Sequence, residues 1–281
     1  MPQRFEGTFR GFKDAELFYQ AWTASDPRGT LLITHGLAEH SECYHALAEK
    51  LASERWNVWA WDLPGHGKSE GKRGFVEAFD DFLKDLETFV AFVKSQRDLP
   101  APLPHVLFGH SLGGLIVTRT LLEMPISGIN AVVLSSPALG LKKKVPTWKH
   151  QAAEIAAKWL PTLTMNNEIR WRELTHDEEQ IRSYDHDPLR HDRISPALFL
   201  GMLESFDRIR QQEHDFAWPL CLQVGGLDPI VDVARAQEFF ANTSSSVKQL
   251  DIYADSLHEI YNDLDKRTVF DDLKKFLAKV S

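Results

Sequence analysis

The chain has 281 residues, 43% of them hydrophobic and 16 of them glycine, enough for one large α/β core with an insertion and unlike a disordered or low-complexity chain. Its formal net charge of −8 leaves no basic footprint for nucleic acid, and Lys142–Lys144 is the only run of three basic residues. No stretch approaches the roughly 18 consecutive apolar residues of a spanning helix, Met1–Glu6 lacks an apolar signal core, and two cysteines make no disulfide framework; a reduced, cytoplasmic setting is expected.

In chain order, residues 4–22 alternate loosely (Phe5, Thr8, Phe9, then Leu17, Tyr19, Trp22) around Gly11–Asp14, which predicts a β-hairpin. Thr30–Thr34 is a continuous apolar run of the kind buried in a parallel sheet, and it ends in His35-Gly36-Leu37-Ala38-Glu39-His40. A helix over Tyr44–Ser53 and a strand over Asn57–Trp61 follow, the strand ending in Asp62-Leu63-Pro64-Gly65-His66-Gly67-Lys68-Ser69. Phe79, Phe82, Leu83, Leu86, Phe89, Val90 and Val93 keep helical spacing up to a proline break at 100–104. Strand 106–108, a helix and strand 131–134 continue the alternation that marks a parallel sheet.

Between about Ala138 and Phe216 this rhythm stops. Trp148, Ala152, Ile155, Ala156, Trp159 and Leu160 form an apolar stripe at helical spacing, Thr175-x-x-Glu178 reads as a capping box, and Ser195-Pro196 as an N-cap and first turn. Strands over 220–224 and 247–253 and a C-terminal helix through Val280 complete the chain. The expected organisation is one α/β core, residues 1–137 and 217–281, interrupted by a helical insertion at 138–216.

The chemistry centres on Gly109-x-Ser111-x-Gly113, a strand-to-helix turn that strains the serine backbone and leaves no room for side chains two positions either side. The following helix aims its first N–H groups at the serine, where an oxyanion would develop. A serine nucleophile needs a base, and the base an acid. Asp228 follows strand 220–224, His258 follows strand 247–253, and Ser, Asp, His is the order of the α/β-hydrolases. Asp232 and Asp255 compete for the acid role. The N–H groups of Leu112 and Leu37 are the expected oxyanion donors, and His35 is expected to be a structural hydrogen-bonder. Cys221, among Leu220, Leu222 and Val224, reads as core filler. The histidines show no ligand spacing such as H-E-x-x-H, so neither metal nor cofactor is expected.

The ordered set of 35–40, Asp62–Gly71, Gly109–Gly114, Gly225–Asp228 and His258-Glu259 resembles the monoacylglycerol lipase and lysophospholipase branch of the α/β-hydrolases over nearly the whole chain. Within the insertion only Asp187-Pro188 carries the likeness. The resemblance implies a Ser–His–Asp esterase with a cap over its pocket. Ser111 disfavours dehalogenases and epoxide hydrolases, which use aspartate. The expected activity is hydrolysis of single-chain lipid esters, monoacylglycerols or lysophospholipids. Trp148, Ile155 and Trp159 on one cap face and Leu198, Met202 and Phe206 on another are the expected acyl-chain contacts, with transient contact to lipid aggregates. A short-chain esterase or perhydrolase on the same triad, and a silent hydrolase fold serving as a binding protein, are the alternatives.

Overall fold

The computed structural model describes residues 2–96 and 103–280, so 100–102 of the expected proline break lie outside the described residues. The chain opens with the antiparallel hairpin of β1 (Gln3–Arg10) and β2 (Glu16–Thr23), turning through Phe12–Asp14. There follow β3 (Gly29–Thr34), α1 (His45–Ser53), β4 (Trp56–Trp61), α2 (Phe79–Lys94), β5 (His105–His110), α3 (Leu112–Glu123) and β6 (Ala131–Ser135). The stretch 138–216 holds α4 (Thr147–Trp159), the short strand β7 (Met165–Asn166), α5 (Glu178–His186), its partner β8 (Arg193–Ile194) and α6 (Pro196–Gln212). The alternation then resumes with β9 (Leu220–Gly225), α7 (Val233–Asn242), β10 (Lys248–Tyr253) and α8 (Lys266–Val280).

Eight strands form one sheet in the order β1-β2-β4-β3-β5-β6-β9-β10, parallel from β4 to β10 and antiparallel at the hairpin edge. Side chains alternate across a strand, so each apolar run feeds two cores. Leu32, Leu107, Val132 and Leu222 pack with α2, α3 and α7 on one face. Leu31, Ile33, Val106, Phe108, Val133 and Cys221 pack with α1 and α8 on the other. Burial on both faces is why β3, β4, β5, β6 and β9 carry no Asp, Glu, Lys or Arg, while β10, at an open edge, carries Lys248 and Asp251.

Within 138–216, the Ser195 hydroxyl accepts the N–H of Leu198 at 3.1 Å and caps α6, with Pro196 in its first turn as its sequence predicts. The expected Thr175–Glu178 capping box does not form. Asp177 caps α5 instead, accepting the N–H groups of Glu179 and Gln180, because the Thr175 hydroxyl is drawn to the carbonyl of Asn262 at 2.9 Å. Helix α6 lies in the main core: Leu198, Met202 and Ile209 join its apolar cluster. The buried guanidinium of Arg119 on α3 locks it there, bonding the Ser205 hydroxyl at 3.0 Å, Glu123 at 3.0 Å and Asp80 of α2 at 2.6 Å. Helix α4 is the opposite case, with Ala153 its only buried residue. Trp148, Ile155 and Trp159 are 68%, 63% and 73% exposed, so the apolar stripe read from sequence faces outward.

Candidate active site

One residue, Ser111, separates the end of β5 from the start of α3. Its backbone sits at φ 50°, ψ −116°, a region that side-chain-bearing residues avoid. A Cβ at Gly109 would lie 2.6 Å from the carbonyl oxygen of Gly113, and one at Gly113 would lie 2.0 Å from that of Thr34. Glycine is therefore required on both sides of the serine. The strained conformation is pinned by three backbone bonds: the N–H of Ser111 donates to Ser135 at 3.0 Å, and its carbonyl accepts from Leu115 at 3.1 Å and Ala138 at 3.0 Å. A serine at a helix N-cap ordinarily caps with its hydroxyl, but that of Ser111 makes no capping bond. Among the described residues, neither the N–H of Leu112 nor that of Leu37 has an acceptor. Leu37 sits in the loop after β3, next to Ala38 at φ 67°.

The sheet brings the other expected residues to the same end. Asp228, three residues past β9, uses both oxygens: Oδ1 accepts the N–H groups of Ile230 and Val231 at 2.8 and 3.0 Å, and Oδ2 meets His258 Nδ1 at 2.6 Å. Both side chains are buried. Burial alone would raise the Asp228 carboxyl, but the charge and hydrogen bond of His258 and the two amides hold it below its ordinary value. Burial likewise pulls His258 down, and the carboxylates of Asp228, Glu259 and Glu39 push it above its ordinary value. Of the competing acids, Asp232 is taken up as the N-cap of α7 and Asp255 is exposed. His35 is a structural hydrogen-bonder as expected: Leu63 donates to its Nε2 at 3.0 Å, its Nδ1 meets the Gly36 carbonyl at 2.7 Å, and burial lowers it to about 3.

Ser111 and His258 line one narrow pocket of about 20 Å³ together with Gly36, Leu37 and Ala38. From 138–216 it is walled by Asn167, Ile169, Trp171, Leu174 and Arg190. Among its lining residues there is none of Trp148, Ile155, Trp159, Leu198, Met202 and Phe206; the first three face solvent, Leu198 and Met202 are core, and Phe206 packs against that core. The segment 167–174 has no helical periodicity by which its sequence could announce it.

Behind the serine lies a polar cluster to which the sequence reading gave no role. Glu39 accepts the N–H of Gly36 at 2.9 Å and the Tyr44 hydroxyl at 2.8 Å, and so braces the loop carrying Leu37. Glu259 receives Arg190 at 3.2 Å, Asn262 at 2.9 Å and the Tyr184 hydroxyl. Burial opposes the charge of Glu259, yet Arg190 keeps its carboxyl low; burial and the neighbouring Glu259 push Glu39 high. His110, held neutral by burial at about 3, bonds Ser135 at 3.0 Å, its ring 4.9 Å from that of His258. The signal was in the motifs, a carboxylate inside 35–40 and another directly after His258.

The sheet order and the strained serine turn at the end of its central strand β5 define the class as the α/β-hydrolases. Within it, the chain belongs to the family described as "Serine aminopeptidase, S33", whose model matches residues 25–265. It is 28% identical over 277 residues to a monoacylglycerol lipase of Mycolicibacterium smegmatis, covering 98% of this chain and 97% of the relative. Phospholipase YtpA of Bacillus subtilis is 27% identical over 260 residues, 91% of this chain and 97% of its own. The crystal structure of Paleococcus ferrophilus monoacylglycerol lipase superposes with a TM-score of 0.84 at 28% identity, over the whole of both chains.

Proposed function

We propose that the chain is a carboxylic ester hydrolase acting on single-chain lipid esters, monoacylglycerols or lysophospholipids, with Ser111, His258 and Asp228 as its triad. The observation that carries this reading is a serine on a strained turn, its hydroxyl unused for capping, sharing a pocket with a histidine that is bonded to a buried aspartate. Because ionised Asp228 can only accept, His258 keeps its proton on Nδ1 and presents Nε2 as the base. Nε2 takes the Ser111 proton as Oγ attacks the acyl carbonyl. The N–H groups of Leu37 and Leu112 receive the oxyanion. The imidazolium then protonates the departing alcohol, and water repeats the sequence in reverse on the acyl-enzyme. No step needs a metal or cofactor.

The names of the relatives support a lipid substrate. A pocket of about 20 Å³ has room for little more than one water, so entry of an acyl ester requires movement of 167–174, within a cap we assign to 138–216 over a core of 1–137 and 217–281. No helix of the described residues is long and apolar enough to cross a membrane; the exposed stripe of α4 is the surface we assign to transient lipid contact. The test is labelling by a fluorophosphonate with the adduct mapped to Ser111, followed by a panel of esters of graded chain length. Ser111→Ala, His258→Ala and Asp228→Asn are each expected to lower turnover by about 10⁴-fold or more with the fold retained. Labelling at another residue, or near-normal turnover of Ser111→Ala, overturns the triad. Equal turnover of acetyl and long-chain esters overturns the lipid assignment alone.

A further inference from the structure

Between β3 and α1 the chain makes a short 3₁₀ helix, Ser41–Tyr44, with the N–H of Cys43 bonded to the carbonyl of His40 at 3.1 Å. His40, extended, immediately precedes this turn, and its ring and the Cys43 thiol converge on one place. What they meet is Asp187, the residue that ends α5. A ring nitrogen of His40, the Cys43 sulfur and a carboxylate oxygen of Asp187 all lie within 4.8 Å of one another. His40 Nε2 meets Asp187 Oδ2 at 2.8 Å, while Asp187 Oδ1 is oriented by the N–H of Leu189 at 2.9 Å. His40 is 2% exposed, and its other nitrogen, Nδ1, is buried with no partner among the described residues. Cys43 and Asp187 are half-buried, which leaves a way in. The cation beside the cluster, Arg190, is already paired with Glu259 and stacked 3.8 Å over the ring of Tyr184.

We infer that His40, Cys43 and Asp187 bind one Zn²⁺, which ties the loop after β3 to the end of α5. Imidazole, thiolate and carboxylate are a donor set that selects zinc over the hard cations magnesium and calcium. Zinc–ligand bonds of about 2.0–2.3 Å place tetrahedral donors some 3.3–3.8 Å apart, so the widest spacing allowed here closes by about 1 Å and the hydrogen-bonded His40–Asp187 pair opens by about 0.5 Å, with water as the fourth ligand. Binding expels the thiol proton of Cys43, and any proton shared by His40 and Asp187, to solvent. The leash of Leu189 on the second Asp187 oxygen is the outer bond that fixes such a ligand.

Zinc binding is measured by competition with a chromophoric chelator, on wild type and on Ser111→Ala, so that the result does not depend on the esterase reading. One equivalent is expected in both, with a rise in melting temperature, as for any ligand of the folded state. Cys43→Ser and Asp187→Asn are each expected to weaken binding at least tenfold, and Cys221→Ser, in the sheet core, to leave it unchanged. Loaded with Co²⁺, the protein should show a thiolate charge-transfer band that Cys43→Ser lacks. Failure to compete with the chelator, or wild-type affinity in both Cys43→Ser and Asp187→Asn, overturns the site and leaves His40–Asp187 a plain hydrogen bond between two segments.

Discussion

At the level of single residues, the serine and the histidine place opposite demands on the chain. Burial works against a charged His258, and the carboxylates of Asp228, Glu259 and Glu39 reverse the outcome, so its proton is lost only above its ordinary value. In the proposed triad, neutral imidazole is the form that accepts the Ser111 proton, so activity is expected to rise with pH through a midpoint above about 6.5 and then level off. A pH–rate profile of kcat/KM checks this; a steady fall across the neutral range contradicts it. Ser111 holds φ 50° only because neighbouring backbone pins it, and such strain stores about 1–3 kcal/mol. Glycine relieves it and gives back roughly 0.5–1 kcal/mol through its greater freedom when unfolded, while alanine relieves nothing. Thermal melts should therefore rank Ser111→Gly above Ser111→Ala, with Ser111→Ala close to wild type. Order and strand-end placement made these residues legible in the sequence. Arg190 was not, because its partner, Glu259, lies far away in the chain.

Helices and strands were legible to the extent that one face of each is apolar. The runs of β3, β5 and β9 and the spacing of α2 and α8 needed no more than that. A stripe does not say what covers it. The stripe of α6 is covered by α2 and α3, whereas that of α4 is covered by nothing among the described residues. Thr175 and Asp177 are both capping residues, and only the distant Asn262 carbonyl decides between them. On α4, the surface proposed for lipid contact, Trp148 and Trp159 expose amphipathic rings suited to an interface, and Lys149 and Lys158 flank them. Trp148→Ala with Trp159→Ala is expected to weaken sedimentation with phosphatidylcholine vesicles several-fold while turnover of a soluble short-chain ester stays near wild type. Unchanged sedimentation would count against α4 as the contact surface.

At the scale of the whole molecule, strand order is what the sequence conceals most, since β4 lies between β2 and β3, and β9 adds beside β6 only after some 80 residues of intervening chain (138–216). Such pairings rest on packing between distant segments and leave no local period to read. One consequence follows from the Arg119 lock. With Leu198, Met202 and Ile209 of α6 seated in the core and Ser205 bonded to the Arg119 guanidinium, the stretch 138–216 cannot swing away as one body without exposing that apolar face and breaking a hydrogen bond to a charged group, itself about 1.5–3 kcal/mol. Motion is left to the parts that hold on least, α4 and the irregular segment up to Leu174. Hydrogen exchange should then divide the stretch in two, amides of α6 exchanging as slowly as those of α3 and amides of α4 exchanging orders of magnitude faster. Arg119→Met should narrow that division by speeding exchange in α6. Uniform exchange across α4 and α6 in the wild type would instead mean a rigid roof, and a substrate admitted by a breathing core.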